Sequence, residues 1–193
     1  MTEFEFIFML YALILGLSLV ALLGGLGRAI ERAFAYEARD GTERFRIGTL
    51  TPLMAVFVML DLMSFWIFAW IVRDIITVSP ATLIGIMAFA SAYYLAARLV
   101  FPEEPERFAD LDTHYFRVSR TIFGILIALV AVQWAFLLSI PGIRGVLLSF
   151  GSVAATAMFV ALMGAAMIWR NRHVQAVLLI ALIVRYLVLY LFI

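Results

Sequence analysis

Long apolar runs alternate with short polar gaps along the whole chain, and this alternation predicts an all-α fold. Six runs reach about 20 residues, the length that a helix needs to cross a hydrocarbon core roughly 30 Å thick. The gaps are too short to hold a soluble domain. We therefore predict one membrane domain, residues 1–193, built as a bundle of six transmembrane helices. The predicted spans are 4–26, 50–72, 81–100, 121–140, 145–169 and 174–193.

Composition strengthens the assignment to a membrane. Hydrophobic residues make up 66% of the chain and charged residues only 14%, whereas soluble domains carry roughly 25% charged residues. Such a chain cannot cover itself with polar surface, so the lipid bilayer is its expected partner. The net charge of +1 gives no basis for binding nucleic acid.

Arginines fix the expected orientation. All 14 basic residues are arginines; 11 lie in the gaps after the first, third and fifth runs, and two lie in the other gaps. The positive-inside rule places the arginine-rich gaps in the cytoplasm and both termini on the non-cytoplasmic side. The remaining arginine, Arg185, lies inside the sixth run.

Asp61 and Arg185 are the two charged residues that lie well inside apolar runs. Counting 13 to 15 helical positions from the nearest cytoplasmic arginine brings both, together with two uncharged polar residues, to one depth of roughly 20 Å. An unpaired charge there costs about 2.5–3.5 kcal/mol, so we expect a salt bridge between Asp61 and Arg185. The predicted polar layer consists of Asp61, Ser64, Gln133, Thr156 and Arg185.

Two interpretations of this layer stay open. It lines an ion or proton pathway, with Asp61 as the site and Arg185 as its counter-charge, or the pair only fixes which helices are neighbours. Arg185 could also reach outward to the membrane surface, because eight residues follow it. The leading hypothesis is a small channel or transporter. The alternative is a non-catalytic accessory or scaffold subunit, as a homo-oligomer or within a larger membrane complex.

A second candidate site lies in the gap after the third run, where Asp110, Asp112 and His114 alternate. Carboxylates and an imidazole at this spacing can bind a divalent metal near lipid headgroups. An aspartate before a helix is more often an N-cap, however, and phosphatidyl transfer needs further aspartates that the chain lacks. We expect residues 108–116, including Tyr115, to form a helical segment in the membrane interface before the fourth span.

Several kinds of chemistry are disfavoured by the residues that the chain lacks. With no cysteine and no lysine, it has no thiol nucleophile and no amine for a Schiff base. The two histidines lie in separate gaps, which argues against haem held between them. No nucleophile–base pair stands out, so we expect a protein that is not an enzyme and that holds no metal or cofactor.

Short motifs in the first 125 residues add a resemblance. The first run ends in Gly-Leu-Gly27-Arg28, the second contains Phe65-Trp66, and Phe101-Pro-Glu-Glu precedes Asp110-Leu-Asp-Thr-His-Tyr-Phe. In these features the chain resembles a group of small bacterial integral membrane proteins. The resemblance implies a bacterial inner membrane protein and brings no activity or site residue with it.

Overall fold

The computed structural model describes residues 2–37 and 45–192, and within these residues the fold is all-helical, without a strand. One isolated bridge pairs Arg46 with Asp110, and a 3-10 turn occupies Pro105–Arg107. The all-α prediction is confirmed. The seven α-helices are α1 (Glu3–Glu37), α2 (Leu50–Ile71), α3 (Pro80–Leu99), α4 (Leu111–Leu138), α5 (Pro141–Leu147), α6 (Phe150–Ile168) and α7 (Arg172–Phe192).

All the described helices except α5 are long and apolar enough to cross a membrane, which confirms the predicted number of helices of spanning length. The first helix is longer than its predicted span: its 35 residues rise roughly 50 Å, well beyond a hydrocarbon core of about 30 Å. The outermost predicted residues, Met1 and Ile193, lie outside the described part of the chain.

Capping accounts for two differences between the helices and the predicted spans. The fourth helix begins at Leu111, before its predicted span of 121–140, because the Asp110 carboxylate accepts the main-chain N–H of Asp112 (2.8 Å) and starts the helix there, which confirms the N-cap interpretation of Asp110. No separate interfacial segment precedes it within the described residues. The run predicted to begin at 145 is divided: α5 ends at Leu147, and Ser149 then caps α6.

Helix α2 lies at the centre of the bundle. It packs against α1, α4 and α7, while α3 packs against α1 and α4, and α6 packs between α4 and α7. The second and sixth spans touch, as the sequence predicted. Phe57 and Val58 of α2 and Tyr93 of α3 are completely buried in this core. Any polar group on the inner faces of α2 is therefore shielded from lipid by other helices.

The closest approach of α1 to the end of α3 occurs at Gly25. A Cβ at this position would lie 2.5 Å from the Cβ of Phe101, which is well inside the van der Waals contact distance of two carbon atoms. Gly27, two residues further along the same helix, has open space where its Cβ would lie. Only the first glycine is therefore required by helix packing.

We expect Gly25→Ala to lower the free energy of unfolding by about 1–3 kcal/mol, because the added methyl group must push Phe101 and its main chain away from α1. Gly27→Ala is the matched control, and we expect it to be neutral or slightly stabilising, since alanine favours a helix over glycine by up to about 1 kcal/mol. Thermal unfolding of both variants in the same detergent measures the difference. Equal midpoints for the two variants would contradict this account of the packing.

Candidate functional site

Asp61 lies in the middle of α2 and is almost completely buried, with 3% of its surface exposed. The hydroxyl of Tyr186, on α7, donates a hydrogen bond to its Oδ1 atom. Its Oδ2 atom is buried and has no hydrogen-bond partner. Ser64, one turn further along α2, donates its hydroxyl to the main-chain oxygen of Asp61 (2.6 Å) rather than to the carboxylate.

Arg185 does not form the predicted salt bridge with Asp61, although the structure describes both side chains. Its guanidinium lies over the ring of Phe159, 4.2 Å from the ring centroid, and over the ring of Tyr186 at 5.2 Å. Its Nε atom is buried without a hydrogen-bond partner. The residue that satisfies Asp61 is therefore Tyr186, the neighbour of Arg185 in the chain, and the arginine is held by aromatic faces.

Three further tyrosines donate their hydroxyl groups to main-chain carbonyls of α2. They come from α1, α3 and α7. The pairs are Tyr11 with Phe65 (3.3 Å), Tyr93 with Val58 (2.5 Å) and Tyr190 with Leu60 (2.6 Å). A helical carbonyl has a second lone pair available after it has accepted its helical N–H. We call Tyr11, Tyr93, Tyr186 and Tyr190 the tyrosine network.

Gln133 does not lie at the level of Asp61. Two ring contacts between α2 and α4 show which residues of the two helices are level: Phe57 contacts Phe123, and Phe68 contacts Phe136. A residue of α4 is therefore level with the residue of α2 whose number is lower by 66 to 68. Gln133 is therefore level with positions 65–67 of α2, which is roughly 6–9 Å beyond Asp61. The count from Arg120 misplaced it because Arg120 is already inside α4, whose first residue is Leu111.

Gln133 instead lies at the edge of an apolar cavity of about 280 Å³ between α1, α2, α3 and α4. Tyr11 and Thr82 are the other polar residues of this cavity, and the Tyr11 hydroxyl is already donated to a main-chain oxygen. Thr156 is half-buried on α6, one turn before Phe159, and it forms no described hydrogen bond with Asp61 or Arg185. Its place at the level of Asp61 stays a prediction.

Asp112 forms the second polar cluster, at the arginine-rich end of the bundle, and is also almost fully buried. Its Oδ1 atom accepts the main-chain N–H of Leu50 (2.9 Å), and its Oδ2 atom accepts that of Thr49 (3.4 Å). Arg172, the first residue of α7, places its Nη2 atom 3.0 Å from Asp112 and 2.7 Å from Asp110. We call these five residues the Asp112 clasp, because they join the first turns of α2, α4 and α7.

Gly48 allows the chain to approach this cluster. Its φ angle of +69° belongs to the left-handed region, which glycine adopts without the steric cost that other residues meet. A Cβ at this position would lie 2.2 Å from Oδ1 of Asp112. The carboxylate can therefore cap α2 only because residue 48 has no side chain.

Tyr115 and Gln175 extend the contacts at this end of the bundle. The Tyr115 hydroxyl donates to Oε1 of Gln175 (2.5 Å), and the Gln175 amide donates to the main-chain oxygens of Ala166 (2.6 Å) and Trp169. The last turn of α6 is thereby joined to α4 and α7. Tyr115 is buried between helices, and its depth relative to the membrane interface stays a prediction.

The three alternating residues of the second candidate site do not converge on a common point. Asp110 caps α4, Asp112 caps α2, and the Nε2 atom of His114 lies 3.0 Å from the main-chain oxygen of Leu99. Among the residues that the structure describes, no three histidine or carboxylate side chains are grouped so that they could hold a metal ion. The arrangement joins helix ends and leaves no carboxylate oxygen of Asp112 available for a ligand.

Sequence reasoning missed Tyr186 and Arg172, which contact the buried carboxylates, and the other members of the tyrosine network, which donate to the main chain of α2. One signal was available for part of this set. Tyr186 and Tyr190 lie one turn apart in the sixth run, so they share one face of that helix. Tyr186 also follows Arg185, which the count had placed at the depth of Asp61. No comparable pattern in the sequence distinguished Arg172 from the other arginines near the membrane surface.

Comparison of the chain with protein-family models, with curated proteins and with solved structures found no match. The function is therefore argued from the chain's own residues.

We expect Tyr186→Phe to lower the free energy of unfolding by about 1–3 kcal/mol, because it leaves both carboxylate oxygens of buried Asp61 without a partner. Tyr190→Phe is the matched control on the same helix face. It should cost less, about 0.5–1.5 kcal/mol, since the Leu60 carbonyl keeps its helical hydrogen bond. Thermal unfolding in detergent compares the two. If the control variant is the less stable one, Asp61 does not depend on Tyr186.

We expect Asp112→Ala to lower the free energy of unfolding by about 2 kcal/mol, because the first turn of α2 loses the acceptor of its N–H groups. Asp74→Ala is the control: its carboxylate pairs with Arg73 but is 84% exposed, and it should change the stability by at most about 0.5 kcal/mol. The measurement is the unfolding midpoint of each variant under the same conditions. Similar midpoints for the two variants would show that the clasp contributes little.

Proposed function

We propose that the protein is a non-catalytic accessory or scaffold subunit of a membrane assembly, in which Asp61 has an architectural role. The observation that carries this proposal is the enclosure of the Asp61 carboxylate. It is 3% exposed and receives the hydroxyl of Tyr186, and the rings of Phe57, Phe159 and Tyr186 pack together beside it. An ion pathway needs a carboxylate that exchanges its partner with water or with a passing ion.

The helix contacts support the same function. Asp61 and the carbonyls beside it each receive a hydroxyl from another helix, so the polar atoms of α2 fix the positions of α1, α3 and α7 around it. Buried polar groups are a known means of specifying which helices pair. A subunit of this kind acts through the surface that a fixed bundle presents to its partners.

A small channel or transporter is the second candidate, and one observation favours it. Asp61 Oδ2 and Arg185 Nε are both buried polar atoms without hydrogen-bond partners. Unsatisfied groups of this kind are costly in hydrocarbon and often mark functional positions. In this alternative, Asp61 binds a proton or cation transiently while Arg185 supplies the opposing charge.

We also propose the location of the protein. The arginine-rich gaps favour an orientation with the Asp112 clasp on the cytoplasmic side and both termini on the other side. The resemblance of the first 125 residues supports the inner membrane of a bacterium. An accessory role further implies that the chain is part of a homo-oligomer or of a larger complex in its native membrane.

We expect vesicles containing the purified protein to show the same proton and potassium flux as protein-free vesicles. Asp61→Asn and Arg185→Leu, alone and combined, should likewise leave the flux at that background level, because no conduction passes the enclosed carboxylate. A pH-sensitive dye inside the vesicles, read with and without a potassium ionophore, measures both fluxes.

Conduction by the wild-type protein would contradict the scaffold proposal under one condition. If the wild-type protein conducts, and Asp61→Asn removes the flux while its unfolding midpoint shows that it is folded, the scaffold proposal is lost and the channel takes its place. A second measurement tests the accessory role directly: the mass of the complex extracted from its native membrane with surrounding lipid by a polymer. A mass of one chain would argue against a subunit of any assembly.

A further inference from the structure

A groove between α1 and α3 opens toward lipid at the arginine-rich end of the bundle, apart from Asp61 and the Asp112 clasp. Its volume is about 490 Å³. One half is apolar and includes Leu17 and Val20 of α1, and the other half is charged and includes Arg28, Arg98 and Glu103. The groove therefore has the two-part chemistry of a phospholipid, with hydrocarbon next to a charged group.

The charged half has an excess of positive charge. Arg28 is exposed and forms no ion pair or hydrogen bond with the rest of the described chain. Arg98 pairs with Glu103, their atoms Nη2 and Oε1 being 3.1 Å apart, but the Glu103 side chain is 81% exposed, so water screens this pair strongly. One carboxylate beside two guanidiniums leaves a net charge of +1 in the groove.

The apolar half has the dimensions of one lipid chain. From Leu17 to Arg28 the helix rises roughly 16 Å, and half of a hydrocarbon core is about 15 Å thick. Leu17 and Val20 are 50% and 66% exposed, so they form a wall without a protein partner. A chain lying against this wall would place the attached headgroup at the level of the arginines.

Gly24 lines the groove between the two halves. A Cβ at this position would lie 3.7 Å from Nη1 of Arg28, in contact with the guanidinium. The Arg28 guanidinium therefore lies back along α1, one turn from its own Cα, beside the groove. Tyr94 of α3 also lines the groove, and tyrosine is favoured where hydrocarbon meets headgroups.

We propose that this groove binds one phospholipid with a net negative headgroup, its phosphate between Arg28 and Arg98 and one acyl chain along Leu17 and Val20. Guanidinium groups bind phosphate oxygens through paired, charge-assisted hydrogen bonds. The proposed orientation supports the anionic lipid over a zwitterionic one, since anionic lipids give the cytoplasmic leaflet its negative surface potential and basic pockets between helices are known to hold them.

Native mass spectrometry of the full chain tests this proposal with phosphatidylglycerol and phosphatidylcholine of identical acyl chains as probes. We expect the wild type to retain one phosphatidylglycerol about tenfold more tightly than phosphatidylcholine. Arg28→Gln and Arg98→Gln should each lower the retention of phosphatidylglycerol about fivefold. Glu103→Gln should raise it, because the competing carboxylate is gone.

Arg73→Gln, at the opposite end of the bundle, is the matched control and should leave the retention unchanged. Unfolding midpoints measured without added lipid show whether each variant is folded; where Arg98→Gln is not folded, Arg28→Gln and Gly24→Val carry the test, the latter by filling the groove. Equal retention of the two lipids, or an equal loss in Arg73→Gln, would overturn the proposal. So would displacement of the bound lipid by millimolar glycerol phosphate, which would indicate a site for the headgroup alone.

Discussion

A polar group that this bundle buries can find a partner only inside the protein, because hydrocarbon offers none. Asp61 imposes the strictest form of this requirement, since it lies at the middle of α2 with 3% of its surface exposed. Its carboxylate accepts a hydrogen bond from the hydroxyl of Tyr186 and forms no ion pair with Arg185. Tyrosine suits this role because its ring packs among Phe57 and Phe159 as an apolar body while its hydroxyl reaches the acceptor. The positions of α1, α3 and α7 around α2 follow from these bonds.

The arginine-rich end solves a related problem in a different way. The first N–H groups of a helix have no partner within the helix, and α2 has no side-chain cap of its own at Thr49. Asp112, 62 residues after Leu50, supplies the acceptor and is itself held by Arg172. Charge is used at this end because Arg172 remains half exposed to solvent. The central carboxylate thus receives one neutral hydroxyl, whereas the terminal one receives two main-chain N–H groups and a guanidinium.

Much of the fold could be predicted from hydropathy, because a helix must reach a fixed length of apolar residues to cross a bilayer. The contact between the second and sixth spans followed from the depth of their charges. The N-cap role of Asp110 at the start of α4 could be predicted from its place before an apolar helix, whereas Asp112 and His114 look like surface residues until their partners from other segments are known. The predicted depth of Gln133 was wrong for a different reason: the count started from Arg120, which lies inside α4 and not at its end. The partner of Asp61 was missed because charge was given priority over the neighbouring tyrosine.

Three hydroxyl groups of the tyrosine network donate to main-chain carbonyls of α2. Each of these hydrogen bonds therefore requires a particular amino acid at the donor position but not at the acceptor position. Every amino acid has a carbonyl, so Val58, Leu60 and Phe65 can be exchanged for residues of similar size without removing an acceptor. Inserting or deleting one residue between Leu50 and Val58 would instead rotate the rest of the helix by about 100° relative to its capped start and turn all three carbonyls away together. At these three positions α2 therefore tolerates substitution but not a change in the length of the helix before them.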